Sequence, residues 1–78
     1  MRILFVEDSI LLRKPVVKAL KASGYAVDAA GDGEEGWWLA QAHDYDVIIL
    51  DIMLPKLDGR EILKRLRAAG KIEPATRP

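Results

Sequence analysis

Two apolar runs of the chain carry no polar alternation: Ile3-Leu4-Phe5-Val6 and Val47-Ile48-Ile49-Leu50. Short, β-branched-rich runs of this kind read as strands of a parallel sheet buried on both faces. Between and after them the period changes. Ser9 to about Ser23 reads as a helix with Leu12, Val16, Ala19 and Leu20 on one face. Asp8 or Ser9 can cap its start, and Gly24 suits its left-handed stop. Pro15 lies beyond the first turn, where it removes a helix bond and tends to kink. Tyr25–Ala30 is a short run of mixed polarity, suited to a sheet edge. Gly31-Asp32-Gly33 reads as a turn, and Glu34 to about Ala42 as a second helix. After the strand Asp46–Leu50 comes a loop containing Pro55. A third helix follows, with Asp58 and Glu61 as a capping box and Ile62, Leu63 and Leu66 as its buried face, stopping at Gly70. Strands and helices thus alternate three times, which predicts an α/β fold: a parallel sheet with right-handed crossovers. The tail Lys71–Pro78 has two prolines and no apolar run, and is expected to be loose. The division expected is a domain over 1–70 and a tail over 71–78.

Composition narrows the class. The 78 residues allow one domain with a thin core, and half are hydrophobic, as in a globular chain. There is no cysteine, which excludes disulfides and thiolate metal sites and fits a reducing, cytoplasmic location. No apolar stretch approaches a membrane span, and Met1-Arg2 runs straight into a strand, so no signal peptide is expected. The net charge is zero but uneven: residues 1–55 hold five basic and nine acidic side chains, residues 56–78 seven basic and three acidic. The basic second part has no aromatics, so it reads as a solvated helix face and no nucleic-acid contact is expected.

The acids carry the chemistry. Glu7-Asp8 and Asp51 each directly follow an apolar run. They therefore fall at the carboxyl ends of strands, the edge where open α/β sheets bind ligands. On neighbouring strands, about 4.8 Å apart, they would converge. Converging carboxylates need a proton or cation, and an all-oxygen set suits Mg²⁺.

These residues together resemble the receiver domain of bacterial response regulators. The resemblance rests on Ile3-Leu4-Phe5-Val6-Glu7-Asp8-Ser9, on Asp46-Val47-Ile48-Ile49-Leu50-Asp51-Ile52-Met53-Leu54-Pro55, on Asp58-Gly59, and on Gly24-Tyr25 and Asp32-Gly33-Glu34-Glu35. It covers residues 1 to about 70. It implies a flavodoxin-like fold, here (βα)3 with strand order 2-1-3. It implies a signalling module, not an enzyme, in a two-component phosphorelay. Asp51 would be the phosphoacceptor, serving a sensor histidine kinase. Glu7, Asp8, Asp51 and the backbone carbonyl of Met53 would hold a weakly bound Mg²⁺. Pro55 and Gly59 would shape the loop.

The resemblance stops short of the family's fourth and fifth strands. Those normally end in a hydroxyl and a lysine that contact the phosphoryl group. Neither role passes to Thr76 or Lys71, so phosphorylation is expected to be impaired in the isolated chain. The alternative reading is a self-associating half-receiver, a homodimer or domain-exchanged oligomer, without signalling activity. Its interface candidates are Val47, Ile48, Ile49, Trp38 and Leu39. Trp37 is expected to pack under the second helix, with Trp38 and Leu39 pointing elsewhere. An aspartate-nucleophile phosphatase ranks last, because Asp51-Ile52-Met53 lacks the second acid of that class. His43 reads as a solvated loop residue.

Overall fold

The computed structural model describes residues 1–50 and 56–70. Six elements alternate in it: β1 (Arg2–Val6), α1 (Ile10–Ala22), β2 (Ala26–Ala30), α2 (Gly33–Ala42), β3 (Val47–Leu50) and α3 (Gly59–Ala68). The strands form one parallel sheet in the order β2-β1-β3. The tail 71–78 and the loop around Pro55 lie outside the described residues.

Most of the core lies on one face of the sheet, and Ile3 is buried on the other. Leu4 and Val6 of β1 pack with Ala30 of β2, Ala40 of α2, and Ile62 and Leu66 of α3; Ile48, Leu50, Trp37, Leu39 and Leu57 close around them. Strand alternation explains the division. The register pairs Leu4 with Ile48 and Val6 with Leu50, so these face α2 and α3, while Ile3, Phe5, Val47 and Ile49 face the other way. Leu63, expected inside, is only half-buried, because Ile62 and Leu66 already span the contact stripe.

α1 corrects the expected face. Leu12, Val16 and Ala19 are exposed, and of the predicted stripe only Leu20 is half-buried. The inward stripe is Arg13, Val17 and Leu20. Arg13 contributes its aliphatic stem and directs its guanidinium to the carbonyl oxygen of Glu7, at 2.8 Å. Apolar residues occur all round this helix, so hydrophobicity alone does not choose the side. The helix runs through Pro15. The carbonyl that Pro15 leaves without a helical donor belongs to Leu11, which is 84% exposed and open to water.

The ends follow local chemistry. Gly24, at φ 94°, closes α1: its N–H bonds to the carbonyl of Lys21, and the Tyr25 N–H to that of Leu20. Tyr25 is thereby spent on the helix stop, and β2 begins one residue later than expected. Gly33 belongs to α2 and not to the turn, because Asp32 is the cap, its Oδ1 accepting from the Glu35 N–H at 2.9 Å. Asp58 caps α3 by accepting from the Arg60 N–H at 2.7 Å. Glu61 does not close a reciprocal box with it, and instead pairs with Arg65 one turn on, at 3.2 Å. Gly36, unexplained by the pattern, lets α2 settle onto the sheet. A Cβ there would lie 2.9 Å from the Val6 Cγ2.

Candidate functional site

Parallel pairing brings the acidic edge together. Val6 lies opposite both Ala30 and Leu50. Glu7 and Asp8 therefore leave the sheet beside the end of β3, the strand whose next residue in sequence is Asp51. Glu7 continues the ladder, its N–H donating to the carbonyl of Ala30 at 3.0 Å. Its side chain is buried, with 9% of the residue exposed, whereas Asp8 is exposed. The Arg13 guanidinium fixes the backbone of the Glu7 turn from below. Asp51, Met53 and Pro55 lie outside the described residues. Gly59 is buried as the first residue of α3.

A third acid, Asp32, follows β2 at the same edge. Its carboxyl is held below the usual carboxylate range by the Glu35 N–H, with Lys56 adding to the effect. Its Oδ2 lies 3.5 Å from the Lys56 Nζ. Lys56 has φ 68°, a left-handed conformation uncommon for a side-chain-bearing residue. The adjoining backbone crosses α2 so closely that a Cβ on Gly33 would collide with the carbonyl oxygen of Leu57. The segment downstream of Asp51–Pro55 is thus pinned to the start of α2. From the sequence, Gly31-Asp32-Gly33 reads as a turn and Asp32-Gly33-Glu34-Glu35 as part of the family pattern; the helix cap on Asp32 and the close approach at Gly33 are what the fold adds.

The donor set fits a hard divalent cation: Glu7 and Asp8 offer oxygen only, and both sit at the strand ends. Among the described residues, no group of three His, Cys, Asp or Glu side chains is poised around one point. The third carboxylate of the sequence pattern is Asp51, outside them.

The sheet's opposite edge carries a network that the sequence did not announce. Asp28 Oδ2 accepts from the Tyr45 hydroxyl at 2.7 Å and from Arg2 at 3.1 Å. Arg2 also lies over the Tyr45 ring, 5.5 Å from its centroid, and His43 meets that ring edge-on at 6.2 Å. His43 lies in the loop between α2 and β3, as expected, but is half-buried there.

Of the interface candidates, Trp38 is 64% exposed, and Val47 and Ile49 are 39% and 38% exposed. Leu39 and Ile48 are half-buried and pack against the core. Leu39 is one helical step from Trp38, which turns it inward. Trp37 is half-buried against the core, as expected, with Arg65 over its ring at 5.7 Å. No described helix is long and apolar enough to cross a membrane.

Known proteins agree with this geometry. Residues 3–76 match the response regulator receiver domain family. The protein RcaC of Microchaete diplosiphon is 50% identical over 95% of this chain and 11% of its own length. The transcriptional regulatory protein HprR of Escherichia coli is 48% identical over 88% of this chain and 31% of its own. The response regulator TrrA of Thermotoga maritima, crystallised in complex with Mg²⁺ and BeF, superposes with a TM-score of 0.83. It is 36% identical, over 90% of this chain and 61% of that one. This chain therefore spans under a third of those two curated relatives and under two thirds of that solved receiver. With three parallel strands in the order 2-1-3, acids at their carboxyl ends and a family match over nearly its whole length, the chain belongs to the response regulator receiver domains of two-component systems.

Proposed function

We propose that Asp51 accepts a phosphoryl group from a sensor histidine kinase. Glu7, Asp8, Asp51 and the backbone carbonyl of Met53 would hold Mg²⁺ at the same point. The observation that carries this reading is the register of β1 and β3, which sets Glu7-Asp8 beside the strand end leading into Asp51. A carboxylate oxygen of Asp51 attacks phosphorus, the bond from phosphorus to the donor's imidazole nitrogen breaks, and the nitrogen keeps that electron pair. Mg²⁺, when bound, offsets the charge on the transferring oxygens. Buried Glu7 and exposed Asp8 divide the labour: Asp8 can ligate directly, and Glu7 through water. Pro55 and Gly59 shape the loop that follows.

Incubation with acetyl phosphate and Mg²⁺, followed by mass spectrometry, tests the proposal. The expected result is a single added phosphoryl group on Asp51. It should be absent in Asp51→Asn, and reduced in Asp8→Ala together with Mg²⁺ affinity. Phosphoryl gain that persists in Asp51→Asn would overturn the assignment.

A second reading, self-association through β3, is favoured by one observation. Among the described residues β3 is an edge strand, and its Val47 and Ile49 are more than a third exposed.

A further inference from the structure

The other edge of the sheet, far from β3, carries a basic groove that the phosphoacceptor chemistry does not use. It lies between α1 and β2, encloses about 370 Å³, and is lined by Arg13, Lys14, Val17, Lys18, Lys21 and Ala29. All four cations come from α1, and that helix contains no acidic side chain. The nearest acid in sequence on β2 is Asp28. It alternates to the opposite sheet face from Ala29, where Tyr45 and Arg2 engage it. Arg13 is anchored to the Glu7 carbonyl. Among the described residues, Lys14, Lys18 and Lys21 form no ion pair. β2 pairs only with β1, so its outer row of N–H and C=O groups is open among the described residues.

We propose that this groove takes an extended acidic peptide of a partner protein, laid along the free edge of β2 with its carboxylates on Lys14, Lys18 and Lys21. An edge strand offers main-chain hydrogen bonds to an added strand, and the flanking side chains give the selectivity. The spacing fits. Lys14 and Lys18 are about 6 Å apart along the helix axis, and alternate residues of an extended chain are about 6.6 Å apart. Val17 and Ala29 make an apolar floor for the residues between the carboxylates. The lysines are spread over about 10 Å of α1, which suits a line of carboxylates better than one phosphate. The lining has no aromatic on which a base could stack.

Fluorescence anisotropy of a labelled peptide alternating Glu and Thr, titrated with the 78-residue protein at low salt, tests this. Binding should be saturable and weaken at least tenfold at 0.5 M salt. It should fall at least tenfold in the triple variant Lys14→Ala/Lys18→Ala/Lys21→Ala. The milder Lys18→Gln, which leaves the helix surface intact, should weaken it by about twofold or more, the scale of one exposed ion pair. The α3 variant Lys64→Ala/Arg67→Ala should bind as the parent does. Absence of binding, or binding unchanged in both α1 variants, would overturn the proposal. So would tighter, salt-sensitive binding of a single-stranded oligonucleotide or of phosphatidylserine vesicles, which would give the groove a different occupant.

Discussion

Tyr45 and Asp28 share a 2.7 Å hydrogen bond that contributes to the pKa shift of each. The Tyr45 hydroxyl holds the Asp28 carboxyl below its ordinary value of 3.8; burial opposes this, and Arg2 assists. Burial, and then Asp28 itself, push Tyr45 up to about 12. The signs follow. A carboxyl with a lowered folded pKa stabilises the fold above its ordinary value, and that stability is lost as pH falls through the lowered value. A phenol with a raised folded pKa stabilises the fold below its ordinary value of 10.0, and that stability is lost as pH rises toward about 12. Tyr45→Phe should therefore flatten both limbs of a plot of urea midpoint against pH. At neutral pH it should cost about 1–2 kcal/mol, the scale of a hydrogen bond to a charged group that is partly open to solvent. An alkaline limb between pH 10 and 12 that survives in Tyr45→Phe would show that Tyr45 is not its source. None of this was legible beforehand. Asp28 read as ordinary edge-strand polarity and His43 as a loop residue, because a network joining positions 2, 28, 43 and 45 exists only after the sheet has formed.

At the scale of elements, α2 is placed by two glycines that meet different obstacles. A side chain on Gly36 would press the methyl groups of Val6, while one on Gly33 would press the backbone carbonyl of Leu57. A side chain can shift by tenths of an ångström where a carbonyl fixed in a tight loop cannot. Gly36→Ala sets an overpacking cost of about 1–3 kcal/mol against a helix-propensity gain of about 1 kcal/mol, so a loss of at most about 2 is expected. Gly33→Ala should cost more, and should displace residues 56–58, visible as amide shifts around Leu57. Equilibrium urea unfolding of both variants decides the order; a Gly33→Ala protein more stable than Gly36→Ala would refute the explanation. The elements themselves were readable because each announces itself locally: unbroken apolar runs for β1 and β3, and Gly24 for the stop of α1. Helix orientation was not readable for α1. Its apolar residues surround the axis, and the side that packs was chosen by Val17, Leu20 and the stem of Arg13. The paired acids and Asp51 were legible from their place behind the strands, and the register of β1 and β3 explains why they belong together.

At the scale of the whole molecule, the described residues place most of the core on one sheet face. α2 and α3 bury Leu4, Val6, Ile62 and Leu66, whereas α1 contributes no fully buried residue. Among the described residues, Val47 and Ile49 at the β3 edge are more than a third exposed. An apolar edge strand with open backbone groups favours pairing with another strand. Two copies joined antiparallel through β3 across a two-fold axis would extend the sheet to 2-1-3-3′-1′-2′ and bring the exposed residues of one copy against those of the other. Light scattering with circular dichroism across a dilution series should therefore show a dimer whose helicity falls as it dissociates. Ile49→Lys should favour the monomer and lower helicity together, because it sets like charges facing each other across the two-fold axis. Ile48→Lys should do so more severely, since Ile48 also packs on the core. The two variants separate the causes: a surface effect predicts that Ile49→Lys lowers helicity only at concentrations where the parent is dimeric, and a folding defect predicts loss at every concentration. A compact, cooperatively unfolding monomer at micromolar concentration would exclude the dimer.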